Sequence, residues 1–115
     1  MSNNETVFAQ LMATINDRKA RPSEKSYTSQ LLAGGAPKIR KKIVEEAAEI
    51  FEAAGLPAAD GREPLIRETA DLLYHLLVLL ANHDIQLADV EAELARRFGM
   101  SGLEEKASRS RKADS

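Results

Sequence analysis

Residues 37–55 read PKIRKKIVEEAAEIFEAAG, and their apolar side chains recur at the spacing of an α-helix. Proline suits the first turn of a helix and glycine the position after its last residue, so Pro37 and Gly55 predict its two ends. A second long helix is predicted from about Pro64 to Asn82, in the stretch PLIRETADLLYHLLVLLAN. The apolar residues that share one face of the first helix are Ile39, Ile43, Val44, Ala47, Ile50, Phe51 and Ala54.

Shorter helices are predicted on either side of this pair, and no segment shows the period-two alternation of a β-strand. The length of 115 residues fits one domain with a single core. We therefore expect one all-α domain over residues 1–115, a helical bundle whose four-helix core is completed by dimerisation, with a partly flexible tail from about residue 100. The other predicted elements are a helix from Asn4 to about Lys19 capped by Asn3 or Asn4, a short helix over residues 26–32 stopped by Gly34-Gly35, a turn at residues 58–61, a helix over residues 87–98, and a capping box at Ser101 and Glu104.

The composition excludes several classes of protein. The chain contains 16 Lys plus Arg, 18 Asp plus Glu and no cysteine, which gives a formal net charge of −2. Without cysteine there is no disulfide framework, thiolate nucleophile or cysteine zinc site, and the near-neutral charge argues against a nucleic-acid binder. The N-terminus lacks a signal-peptide pattern, and the apolar stretch over residues 70–81 is too short and too polar to span a bilayer. The expected location is the cytoplasm.

Acidic residues cluster on both long helices. At about 100° per residue, Glu46 falls at the border of the apolar face of the first helix, with Glu45 and Glu49 close by. Glu68 and Asp71 follow one edge of the leucine-rich second helix. Like charges at these spacings repel, and the repulsion grows where a carboxylate loses its water. A divalent cation would relieve it, and oxygen ligands without cysteine select a hard ion, Mg²⁺ or Mn²⁺.

A plainer interpretation of these acids stays open at this point. The pattern EExxE is common on solvated helix faces, where lysines one turn earlier form salt bridges with Glu45 and Glu46. A di-iron bundle is disfavoured, because it needs Glu-x-x-His pairs and neither histidine has that spacing. We interpret His75 as a hydrogen-bonded histidine at the helix edge rather than as a metal ligand.

The apolar arc of the second helix is unusually wide, roughly 200° around the axis. A chain of 115 residues has few other helices to cover such an arc. The pattern therefore predicts that a partner subunit completes the bundle. The arc contains Leu65, Ile66, Leu72, Leu73, Leu76, Leu77, Leu79 and Leu80.

Three stretches of the chain together resemble a known family. Residues 26–28 (SYT), residues 38–49 (KIRKKIVEEAAE) and residues 68–75 (ETADLLYH) resemble phosphoribosyl-ATP pyrophosphohydrolase. This is the histidine-biosynthesis member of the MazG-like all-α nucleotide pyrophosphohydrolases. The resemblance extends over about residues 7–98.

The resemblance implies hydrolysis of phosphoribosyl-ATP to phosphoribosyl-AMP and pyrophosphate by a water activated by Mg²⁺, with Mn²⁺ as a substitute. It also implies a homodimer or higher homo-oligomer that acts on a small nucleotide, with no nucleic-acid or membrane partner. A house-cleaning (d)NTP pyrophosphohydrolase and a non-enzymatic helical interaction module are the alternatives. By the resemblance, the metal ligands are Glu46, Glu49, Glu68 and Asp71, the catalytic residues are Glu45, Glu46 and Glu49, and the substrate-binding residues are Lys38, Lys41 and Lys42.

Overall fold

The computed structural model describes residues 6–98 together with residues 102, 106, 107 and 109. These residues form no strand, which confirms the predicted all-α class. The largest helix contact joins α2 to α3, and α1 packs against both. No described helix combines the length and the apolar character that a membrane crossing requires. The helices are α1 (Val7–Ala20), α2 (Tyr27–Ala54), α3 (Ala58–Asn82) and α4 (Leu87–Arg96).

The α2 helix is broken at Gly35, where φ is 77° and ψ is −176°. Only glycine adopts this backbone conformation readily. Pro37 then lies in the first turn of the second segment, where its missing N–H is not needed. The break confirms the prediction of a short helix stopped by the glycine pair and a new helix beginning at Pro37. It separates the segment that carries Tyr27 from the segment that carries the glutamates.

The α3 helix begins earlier than predicted, because residues 58–61 are its first turn and not a connecting turn. Pro57 precedes the helix with an extended backbone. Gly61 is buried against α2, and a Cβ atom there would lie 2.6 Å from the carbonyl oxygen of Ala53. The glycine that suggested a turn instead marks a close approach of two helices.

The predicted ends of α2 at Gly55 and of α3 at Asn82 are confirmed, whereas the ends of α1 and α4 differ from the predicted ones by a few residues. The hydroxyl of Thr6 caps α1 by accepting a hydrogen bond from the N–H of Ala9 at 3.1 Å. The α4 helix ends at Arg96 rather than at residue 98, and a capping box of Gln86 and Asp89 starts it. The predicted caps Asn3 and Asn4, the predicted capping box at Ser101 and Glu104, and most of the predicted tail lie outside the described residues.

The core is small and lies where α1, α2 and α3 meet. Its largest fully buried side chains are Ile15, Leu31, Ile39 and Val78. Burial of one such side chain stabilises a fold by about 1.5–3 kcal/mol. The core joins both segments of α2 to α3, so it fixes the relative position of the helices that carry the acidic residues.

Much of the predicted apolar surface of the long helices stays uncovered within one chain. Val44 and Phe51, which belong to the predicted apolar face of α2, are 69% and 79% exposed, so that face is covered only in part within one chain. On α3, Leu73 and Leu76 are 36% and 37% exposed, so the wide apolar arc is covered only in part.

Candidate active site

Four carboxylates from α2 and α3 converge where these two helices pack together. One oxygen from each of Glu46, Glu68 and Asp71 lies within 4.8 Å of the others. The Glu49 side chain lies close enough to Glu68 for each carboxyl to shift the pKa of the other. These four carboxylates, which we call the acidic cluster, are the four residues that the family resemblance implies as metal ligands.

The acidic cluster contains carboxylate oxygens that lack partners. The side chains of Glu46 and Glu68 are only 12% and 15% exposed. The Oε2 atom of each is buried and accepts no hydrogen bond. A buried polar oxygen without a partner is costly and rare in folded proteins, so these two atoms indicate that a group is needed to satisfy them.

The carboxylates perturb one another's ionisation. Burial raises the pKa of Glu46 from 4.5 to about 7, and the hydrogen bond with Glu68 and the charges of Glu49 and Asp71 act in the same direction. The hydrogen bond to Glu68 also raises the pKa of Glu49, whereas accepting these bonds lowers the pKa of Glu68. In the metal-free protein, Glu46 is therefore partly protonated near neutral pH.

His75 lies beside the acidic cluster and is 5% exposed. Its Nδ1 atom is 2.8 Å from the carbonyl oxygen of Asp71 and 3.9 Å from Oε1 of Glu46. Its Nε2 atom is 3.2 Å from the hydroxyl oxygen of Tyr27. Both ring nitrogens are thus engaged, as expected for a hydrogen-bonded histidine. Sequence reasoning did not place Tyr27 at the site, and the SYT motif was the available signal for it.

The structure does not bring every predicted site residue into the acidic cluster. Glu45 forms an ion pair with Lys42 at 3.6 Å, which is the salt bridge that the plainer interpretation expected for it. Lys38 and Lys41 are exposed in the turns of α2 before the glutamates. The roles of Glu45 and of the three lysines toward a substrate stay predictions.

Known proteins are similar to this chain over nearly its whole length. Residues 8–98 match the family model described as phosphoribosyl-ATP pyrophosphohydrolase. The chain is 53% identical to the phosphoribosyl-ATP pyrophosphatase of Rhodopirellula baltica, over 91% of this chain and 88% of the relative. It is 48% identical to the protein of that name from Geotalea daltonii, over 94% and 99% of the two chains. The corresponding protein of Paramagnetospirillum magneticum is 45% identical, over 97% and 100%.

Proposed function

The chain belongs to the phosphoribosyl-ATP pyrophosphohydrolase family, and on this premise we propose that it converts phosphoribosyl-ATP to phosphoribosyl-AMP and pyrophosphate, a step of histidine biosynthesis. In this reaction water adds to phosphorus, the anhydride bond between the α- and β-phosphates breaks, and pyrophosphate leaves. The observation that carries the proposal is the convergence of the acidic cluster, within a matched region that spans all four helices.

The acidic cluster fits a hard divalent cation, Mg²⁺ or Mn²⁺. Its donors are all carboxylate oxygens, which these ions prefer. Two of the oxygens are buried without a partner, and burial, together with the charges of the neighbouring carboxylates, raises the pKa of Glu46, so a cation would stabilise its ionised form. We propose that Glu46, Glu49, Glu68 and Asp71 hold the ion. When bound, it would neutralise phosphate charge and make a water more acidic.

The side chains of the site would position the reactants and stabilise charge on the phosphates. Phosphoryl transfer needs mainly these two contributions, because the protein forms few covalent bonds to the substrate. Glu49 is the exposed glutamate of the cluster, so it is placed to orient the attacking water and accept its proton. The exposed Lys38 and Lys41 bring positive charge to the phosphates, and Glu45 holds Lys42 beside them.

The test measures pyrophosphate release with and without Mg²⁺, from phosphoribosyl-ATP and from a panel of dNTPs. We expect Mg²⁺-dependent release from phosphoribosyl-ATP. Glu49→Gln and Asp71→Asn should lower the rate by about 100-fold or more. Glu52→Gln, an exposed glutamate on the same helix, is the matched control and should stay within about twofold of wild type.

Three outcomes would contradict parts of the proposal. Turnover of dNTPs alone would favour a house-cleaning enzyme over the histidine-biosynthesis reaction. Full activity of Glu49→Gln or Asp71→Asn would show that the acidic cluster is not the site. No turnover of any nucleotide would favour a non-enzymatic helical module.

We also propose that two copies of the chain pack through an apolar groove between α1, α3 and α4. Exposed apolar patches of this kind mark interaction sites, and α4 contributes no buried residue within the chain. A two-fold axis would place the groove against its own copy and cover α3 and α4 together. Glu91 is the one charged residue of the lining, so apolar groups would face apolar groups. The groove is lined by Phe8, Leu73, Leu76, Leu77, Leu80, Leu87, Val90, Glu91 and Leu94.

Analytical ultracentrifugation tests this dimer. We expect the wild-type chain to sediment with the mass of two copies, and Leu76→Glu to shift it toward the mass of one. Val44→Glu is the control, because Val44 is more exposed than Leu76 but lies outside the groove. A single-chain mass for the wild type would refute the dimer. If Val44→Glu dissociates the dimer and Leu76→Glu does not, the interface lies outside the groove.

A further inference from the structure

The proposed chemistry leaves the pair formed by His75 and Tyr27 without a role. His75 belongs to α3 and is buried, whereas Tyr27 opens α2 on the other side of the Gly35 break and is 46% exposed. The two side chains meet through the 3.2 Å contact between Nε2 and the phenol oxygen. A buried histidine joined to an exposed tyrosine links the interior of the site to a surface that a ligand can reach.

The hydrogen bonds of His75 fix the direction in which Tyr27 donates. A carbonyl oxygen only accepts, so the Nδ1 atom, 2.8 Å from the Asp71 carbonyl, carries a hydrogen and donates it. In the neutral ring Nε2 is then the acceptor, and the Tyr27 hydroxyl donates to it. The hydroxyl proton of Tyr27 is therefore donated to His75, and the phenol oxygen can offer a ligand only its lone pairs, as a hydrogen-bond acceptor.

We propose that Tyr27 binds the nucleoside part of the substrate by accepting a hydrogen bond from a ribose hydroxyl or an adenine amino group, and that His75 is the positioning residue that orients it. This inference rests on the proposed function. Phosphate oxygens are also acceptors, so they do not match a phenol oxygen whose proton is already engaged. Only the imidazole ring stands between Tyr27 and Glu46, since Nδ1 is 3.9 Å from Oε1 of Glu46. The phenol oxygen is thus separated from the proposed metal and phosphate site by the width of one imidazole ring.

The Tyr27 hydroxyl is not needed to tie α2 to α3, because a hydrogen bond between neighbouring side chains already does so. The hydroxyl of Tyr74 is hydrogen-bonded to Thr28, which ties the first turn of α2 to α3. The rings of Tyr27 and Tyr74 stack with centroids 6.3 Å apart, and this contact does not involve the hydroxyl of Tyr27. Beyond its hydrogen bond to His75, the Tyr27 hydroxyl therefore keeps lone pairs that a ligand can reach.

The first experiment compares Tyr27→Phe with Tyr74→Phe, which each remove one hydroxyl from the same aromatic cluster. For Tyr27→Phe we expect KM for phosphoribosyl-ATP to rise about 3- to 10-fold, the value of one hydrogen bond, with kcat within about twofold and a lower Tm, because Nε2 of the buried His75 loses its partner. For Tyr74→Phe we expect a lower Tm and a KM within about twofold of wild type. An unchanged KM for Tyr27→Phe would overturn the inference.

The second experiment separates the two nitrogens of His75. In His75→Gln the amide reaches the position of Nε2 and can accept the Tyr27 hydrogen bond. In His75→Asn the amide reaches only the position of Nδ1 and can donate to the Asp71 carbonyl. We expect His75→Gln to keep KM within about threefold of wild type and His75→Asn to raise it about as much as Tyr27→Phe does. Equal KM values for the two variants, or a higher KM for His75→Gln, would show that His75 only stabilises α3 and would overturn its positioning role.

Calorimetric binding of phosphoribosyl-AMP gives a readout that needs no turnover. Tyr27→Phe should weaken this binding by about the same factor that raises KM. Wild-type activity tests the proposed function, whereas the ratio of variant to wild-type affinity tests the role of Tyr27. An inactive wild type would therefore remove the proposed function, and an active wild type with unaltered affinity in Tyr27→Phe would remove only this inference.

Discussion

Replacing Glu46 by Gln should stabilise the metal-free protein at pH 8 and have little effect at pH 4. Burial and the neighbouring carboxyls hold the pKa of Glu46 at about 7 in the folded state, against 4.5 for the ordinary side chain. Between these pH values the folded state binds more protons than the unfolded chain. The contribution of Glu46 to the unfolding free energy is therefore complete below about pH 4.5 and is lost as the pH rises through about 7. A tenfold change in proton affinity corresponds to about 1.4 kcal/mol, so ionising Glu46 costs up to about 3 kcal/mol. The lowered pKa of Glu68 acts in the opposite direction and makes this an upper bound.

Urea unfolding in EDTA at a fixed protein concentration measures this difference. At pH 8 we expect Glu46→Gln to exceed wild type by about 1–3 kcal/mol in unfolding free energy, and at pH 4 the two should nearly coincide. Glu52→Gln, from the exposed side of the same helix, should differ by less than about 0.5 kcal/mol at both pH values. Adding Mg²⁺ should reverse the order, because the ion stabilises only the intact cluster. A variant that is less stable than wild type at pH 8 in EDTA, or equally stabilised at pH 4, would refute this reasoning.

Three further predictions concern the packing and the surface of the site. Ile39→Ala should lower the unfolding free energy by about 2–5 kcal/mol in the same urea assay, because Ile39 is fully buried. Gly61→Ala should lower the Tm and destabilise the protein by about 1–3 kcal/mol, since the added Cβ atom would meet the carbonyl oxygen of Ala53; an unchanged Tm would contradict the close helix approach. Lys42→Ala should change stability by less than about 1 kcal/mol, because its ion pair with Glu45 is partly exposed, yet raise KM for phosphoribosyl-ATP in steady-state kinetics.

The sequence carried enough information to predict the long helices and the acidic cluster. Helical spacing placed Ile39 on the apolar face of α2 and Leu77 on the apolar arc of α3, and both are buried. The same spacing put Glu68 and Asp71 on one edge of α3, facing Glu46 of α2. Periodicity is a local property of the chain, so it can be read without knowledge of the tertiary structure.

The features that the sequence did not predict depend on tertiary packing. An Asp-Gly pair is a common turn signal, and nothing local shows that Gly61 is there to let α3 approach Ala53. Tyr27 and His75 are 48 residues apart, so their contact follows from the Gly35 break and not from any local pattern. The exposure of Phe51 likewise reflects which helices are present to cover it, and helical spacing alone cannot count them.

Calorimetric titration of Mn²⁺ into the metal-free protein most directly tests whether α2 and α3 together form a cation site. The wild type should bind the ion saturably and release protons near neutral pH, because Glu46, whose pKa is raised to about 7, must lose its proton to bind the ion. Asp71→Asn should bind far more weakly. Absence of saturable binding to the wild type, or equal binding by the variant, would contradict the account.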